Sequence, residues 1–72
     1  MVIVRTFRIC KMQGMYDVIC CEIYATSEYR ALQSFKKTLI NEGDLKFEKI
    51  LNHWQLQNNR GALWTAIEQI GI

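Results

Sequence analysis

No apolar run in this 72-residue chain approaches the ~20 residues needed to span a bilayer, and its basic start lacks the long apolar core of a signal peptide. Those absences predict a soluble, cytoplasmic protein. No segment is of low complexity, and half of the residues are hydrophobic, which argues against a disordered chain. Cysteine is scarce and odd in number: Cys10, Cys20 and Cys21 have no C-x-x-C spacing, so reduced thiols fit better than a disulfide framework. Adjacent Cys20 and Cys21 on a strand point to opposite faces, and His53 is the only histidine, which leaves zinc short of ligands. No cofactor is expected.

The residues that catalysis needs are equally thin. Asp17, Glu22, Glu28, Glu42, Asp44, Glu48 and Glu68 are scattered, with no pair on elements expected to converge. There is no glycine-rich phosphate loop, and neither Ser27 nor Ser34 has a histidine near it in sequence. Cys20 or Cys21 could be imagined with His53 as nucleophile and base, but thiols are most often packing residues, and spacing establishes no contact. A chain this short also has little volume to enclose a substrate. The expectation is a non-enzymatic protein.

One small domain over residues 1–72 remains, near the lower limit at which a single core holds a chain together. The net charge is +2, and its distribution is uneven. Residues 1–16 carry Arg5, Arg8 and Lys11 with no acid, residues 17–42 sum to −1, and residues 43–72 to zero. The excess lies on the first strand and its turn, a modest handle beside the basic stripe of a dedicated nucleic-acid binder.

Residues 24–43, YATSEYRALQSFKKTLINEG, show a start, a face and a stop. Ser27 suits an N-cap, and Glu28 places negative charge at the positive end of the helix. Ala31, Leu32, Phe35 and Leu39 fall within an arc of roughly 100°. Gly43 can take the left-handed conformation that ends a helix. Before this helix, residues 2–10 are β-branched and aromatic and read as a strand, residues 11–15 as a turn around Gly14, and residues 16–25 as a second strand. Ile19, Cys21, Ile23 and Ala25 alternate onto one face, and Tyr16, Val18, Cys20, Glu22 and Tyr24 onto the other.

The last third supports two readings. Phe47, Ile50, Leu51 and Trp54, then Leu63, Ala66, Ile67 and Ile70, satisfy helical spacing, and propensity leans towards helices. The rival is a second hairpin around Asn58-Asn59-Arg60-Gly61, with Leu56 opposite Leu63 and Trp54 opposite Thr65. The hairpin is preferred, because two strands shield a helix poorly and a four-stranded antiparallel sheet does so well. The predicted fold is α+β, a ββαββ antiparallel four-stranded sheet packed on one helix; the alternative is an N-terminal β-hairpin followed by three short helices.

This order, the step CEIYATSEYRAL from strand into helix, and the late QNNRGALWTAI turn resemble small phage accessory proteins. In layout the chain is similar to single-helix anti-CRISPR proteins acting on type I-F effector complexes. The strand–helix step also resembles that of the small RNA-polymerase inhibitor of T7-like phages. The resemblance covers about residues 16–70 and implies a fold more than a function. It implies a phage or mobile-element inhibitor acting in a bacterial host, bound to a host protein or nucleoprotein complex.

From the residues themselves, the sheet face away from the helix is the first candidate site. Arg5, Arg8 and Lys11 would attract, and Tyr16, Tyr24 and Trp64 would anchor a protein partner. The alternative is a small nucleic-acid-binding module using the same basic and aromatic face. Tyr29, Gln33, Lys36 and Ile40 form a stripe on the outer side of the helix. There Tyr29, Lys36 and Ile40 are candidates for self-association, so the chain is expected as a monomer or a homodimer.

Overall fold

The computed structural model describes residues 3–70. Its elements run β1 (Arg5–Gln13), β2 (Tyr16–Ala25), α1 (Glu28–Lys36), β3 (Leu45–Ile50), β4 (His53–Asn58) and β5 (Leu63–Gln69). The five strands form one antiparallel sheet in the order β2-β1-β5-β4-β3. The α+β class and the single helix are as expected, but there are five strands where four were predicted, and the order is ββαβββ. Residues 45–69 are strands and turns, so the three-helix alternative does not describe the chain. No helix among the described residues is long and apolar enough to cross a membrane.

β1 and β2 close through the two-residue turn Gly14–Met15, with Gly14 at φ 65°. β2 has the predicted bounds, whereas β1 begins at Arg5 and runs on to Gln13. Val2, expected at the start of that strand, lies outside the described residues. Between Ile9 and Cys10 the register slips: Ile9 pairs with Cys21 and Cys10 with Ile19, leaving Cys20 as the extra residue of a bulge. A bulge reverses which residues of a strand share a face. Glu22 and Tyr24 therefore share the open face with Asp17 and Ile19, while Tyr16 and Val18 fall on the helix side with Cys21 and Ile23. The unbroken alternation expected along β2 is corrected by that one residue.

α1 starts as predicted. Ser27 Oγ accepts the N–H of Arg30 at 3.2 Å, and Glu28 occupies the first turn. The helix stops after Lys36, well before Gly43, with Lys37 as its C-cap. Thr38 donates both its N–H (2.9 Å) and its hydroxyl (2.7 Å) to the Phe35 carbonyl. That double capture satisfies an end carbonyl locally and turns the chain out of the helix. Gly43 has its left-handed φ of 82° in the loop instead, where an added Cβ would collide with the Asn59 side chain.

The missed strand is β3. It pairs with β4 across the tight turn Leu51–Asn52, whose first residue is a leucine at φ 56°. β4 and β5 join through Asn58–Ala62. The Asn58 side-chain oxygen accepts the N–H groups of Arg60 (3.0 Å) and Ala62 (2.8 Å), and Gly61 takes φ 88°. This loop sets Leu56 opposite Trp64 and Gln55 opposite Thr65, one residue away from the predicted pairing. A slip of one residue moves every side chain to the other face. Trp64 accordingly lies under α1, 1% exposed, among Phe7, Ile9, Leu32, Phe35, Leu56 and Ala66.

Candidate protein-docking face

The helix covers one side of the sheet, and the register defines what the other side presents. Thr6, Arg8, Cys10 and Met12 of β1 share that open face with Asp17, Ile19, Glu22 and Tyr24 of β2 and with Leu63, Thr65, Ile67 and Gln69 of β5. β4 adds His53, Gln55 and Gln57, and β3 adds Lys46, Glu48 and Ile50. Met12, Ile19, Tyr24, Ile50 and Ile67 are exposed, Tyr24 to 74% and Ile19 to 59%. Cys10, at the centre of the face, is nearly closed off by its neighbours.

The charge on this face is sparse and negative on balance. Arg8 and Lys46 stand against Asp17, Glu22 and Glu48. Arg8 Nη2 lies 3.7 Å from Glu22 Oε1 across the β1–β2 ladder, and Gln57 donates to Glu48. An exposed pair of this kind contributes well under 1 kcal/mol, so it sets local complementarity more than stability. The face thus mixes polar and charged side chains with exposed apolar ones, the latter concentrated on β2, β1 and β5, and carries one ion pair near its β2 side.

The predicted site residues do not gather on it. Of the six proposed for partner binding, only Arg8 and Tyr24 lie on the open face. Arg5 turns to the helix side and pairs with Glu68 at 3.2 Å. Lys11 lies there as well, with Nζ 5.4 Å from the centre of the Trp64 ring. Tyr16, 77% exposed, flanks the β1–β2 turn on the side to which the bulge sends it. Trp64 is buried and cannot be a surface anchor.

The outer helix stripe is also dispersed. Tyr29 packs between the rings of Phe47 (4.9 Å) and Trp54 (4.7 Å), so it closes the β3–β4 end of the core. Lys36 Nζ sits 5.3 Å from the Phe47 ring centre. Ile40 is exposed but belongs to the loop after the helix, which ended four residues earlier. Sequence reasoning missed Met12, Ile19, Ile50 and Ile67 as site residues. The alternation of Met12 with its β1 neighbours could have found it; Ile19 needed the bulge, Ile67 the register of β5, and Ile50 the strand β3 itself.

At the opposite end of the molecule β4 and β5 part company. Their ladder ends at Gln55 and Thr65, and beyond it a cleft of about 460 Å³ opens between His53–Trp54 and Ala66–Glu68. Glu28 fills its floor, accepting the Trp54 backbone N–H on one oxygen and facing His53 Nδ1 at 3.1 Å with the other. Its carboxylate does the work of a missing ladder bond, and the cleft's other ionic group, Arg5, is paired with Glu68. No three His, Cys, Asp or Glu side chains among the described residues converge as metal ligands would. Cys10 is buried, Cys20 exposed and Cys21 half-buried. Burial pushes the Cys21 thiol above its ordinary value, and the neighbouring Cys20 adds to the effect.

No family model, no curated protein and no solved structure matches the chain.

Proposed function

We propose that this is a non-catalytic binding protein that docks a protein partner on its helix-free sheet face. The observation that carries this reading is the set of exposed apolar side chains there: Met12, Ile19, Tyr24 and Ile67 spread over the adjoining strands β2, β1 and β5, with the Arg8–Glu22 pair among them and Ile50 apart on β3. Singly exposed apolar residues mean little, but a face of them is what an interface core needs. Tyr24 supplies the amphipathic ring that such interfaces favour, and Arg8 the cation beside it.

The balance of charge supports a protein over a nucleic acid. Phosphate binding scales with the cations presented together, and this face presents two against three carboxylates. Arg5 and Lys11, which would have completed a basic patch, lie on the other side of the sheet. The partner we propose is a host protein or nucleoprotein complex in a bacterium, with the chain acting as an inhibitor that occupies one of its surfaces. That part rests on the resemblance in layout to phage accessory proteins.

The test is affinity capture from bacterial lysate with the wild type beside Met12→Asp, Ile67→Asp and a control on the helix side, Lys37→Ala. The expected result is a protein recovered by the wild type and the control and lost by the two open-face variants, all four keeping the same circular dichroism. Recovery of nucleic acid alone, or of the same proteins by all four, would overturn it.

A further inference from the structure

We infer that β2 is a pairing edge for a second copy of this chain, and that the bulge at Cys20 fixes the register of the pair. The two edges of the sheet are guarded unequally. β3 is six residues long and carries Lys46 and Lys49 among LKFEKI, the kind of charge that discourages strand addition. β2 is ten residues long and has no lysine, arginine or proline; its guards are two carboxylates, Asp17 and Glu22, and the bulge between them. Its large side chains are exposed on both faces of the sheet: Tyr16 and Val18 on the helix side beyond the reach of α1, Ile19 and Tyr24 on the open side.

The two-residue turn makes Gln13 and Tyr16 a hydrogen-bonded pair, so Tyr16 and Val18 direct their backbone groups to β1. Asp17 and Ile19 then direct theirs outwards. Counting inwards from the Asn58–Ala62 loop through β5 and β1, Cys21, Ile23 and Ala25 face β1, which leaves Glu22 and Tyr24 facing outwards. The outward residues are odd-numbered before the bulge and even-numbered after it.

That switch decides how two copies can pair. In an antiparallel pair about a two-fold axis, each outward residue must meet an outward residue on the same face. Centring the axis between Cys20 and Cys21 does this along the whole strand. Asp17 meets Tyr24 of the second copy, Ile19 meets Glu22, and Val18 meets Ile23 on the helix side. No like charges stand opposite one another, whereas centring the axis on Glu22 would oppose two carboxylates. The product is one ten-stranded sheet whose two open faces lie side by side. The inference does not depend on what those faces bind.

A pair of variants at one exposed position reads this register. Ile19→Lys puts a cation opposite Glu22 of the second copy, twice by symmetry, and Ile19→Glu puts a carboxylate there. Sedimentation equilibrium across a concentration series should show a wild-type dimer, held at least as tightly by the lysine variant. The glutamate variant should be weakened about tenfold, the scale of two cross-strand charge contacts. Circular dichroism checks that each variant is folded. Should the glutamate variant fail to fold, Tyr24→Asp, which faces Asp17 of the second copy, must weaken the dimer in its place. A wild type that stays monomeric up to about 1 mM, or charge variants that respond alike, would overturn the inference.

Discussion

The Glu28 carboxylate holds the backbone N–H of Trp54, an amide that the β4–β5 ladder would otherwise have paired. The first turn of the helix is thereby tied to the start of β4, across 26 residues of sequence. Glu28→Ala leaves that half-buried N–H without a partner, at a cost of about 1–3 kcal/mol. Melting temperature should fall by roughly 4–8 °C per kcal/mol for a domain of this size. Glu28→Gln keeps an acceptor and should lose less. His53→Ala should change little, because its ring is largely exposed and its contact with Glu28 is open to solvent. Thermal melts of the three variants check the order, and an alanine variant at 53 as damaging as the one at 28 would refute it.

Trp64 lies 6.4 Å from Phe35, ring centre to ring centre, and the two join the sheet to the helix. Removing either to alanine should cost about 3–5 kcal/mol, enough to unfold most of the population of a domain with 72 residues. Trp54 is only half-buried, so native fluorescence should divide cleanly. Acrylamide should quench Trp54 and leave Trp64 nearly untouched until denaturant is added. Trp54→Phe isolates the protected signal, and ready quenching of that variant in its native state would place Trp64 at the surface after all.

Much of this architecture was legible in local chemistry, and the rest failed at identifiable residues. Ser27, Glu28, Ala31, Leu32 and Phe35 announced the helix and its buried face, because capping and the 3.6-residue period act within a few residues. The end of the helix was misread because Thr38, whose hydroxyl captures the Phe35 carbonyl, gives a weaker signal than Gly43. β3 and its turn were hidden because the left-handed turn position holds Leu51, a residue that turn chemistry would not choose. The open face could not be assembled from the sequence. Its membership depends on a bulge at Cys20 and on a loop of odd length after Asn58, and each exchanges the two faces of a strand.

Two left-handed positions should respond in opposite directions. Leu51, at φ 56°, is strained in a way that costs a side chain roughly 1–2 kcal/mol, and its side chain is exposed, so little packing is lost by changing it. Leu51→Asn or Leu51→Gly should therefore stabilise the protein by about 0.5–1 kcal/mol. Gly43 sits where loop and turn meet: Asn58 Nδ2 donates to the Glu42 carbonyl at 2.7 Å, and Arg60 Nη1 donates to that of Asn41 at 3.0 Å. Gly43→Ala adds a Cβ at φ 82° against the Asn59 side chain and should destabilise by about 1–3 kcal/mol. Urea unfolding midpoints with unchanged slopes would establish both signs; a stabilising alanine at 43 would contradict the close approach.

The three thiols should separate by rate and by pH. The reacting species is the thiolate, so access and ionisation both count. Cys20 is exposed, Cys21 is half-buried with its thiol pushed up by burial and then by Cys20, and Cys10 is closed off within the sheet. Iodoacetamide applied to dilute native protein should label Cys20 first. Labelling of Cys21 should lag at pH 7–8 and keep rising above the ordinary thiol value of about 8.5, because its folded form holds the proton longer. Cys10 should react only on unfolding. The sign for stability follows: Cys21 favours the fold while protonated, fully below the ordinary thiol range, and that contribution fades as pH rises through its raised value. Mass-spectrometric labelling curves against pH resolve the three sites, and a Cys21 that outpaces Cys20 at neutral pH would contradict both its burial and the direction of its shift.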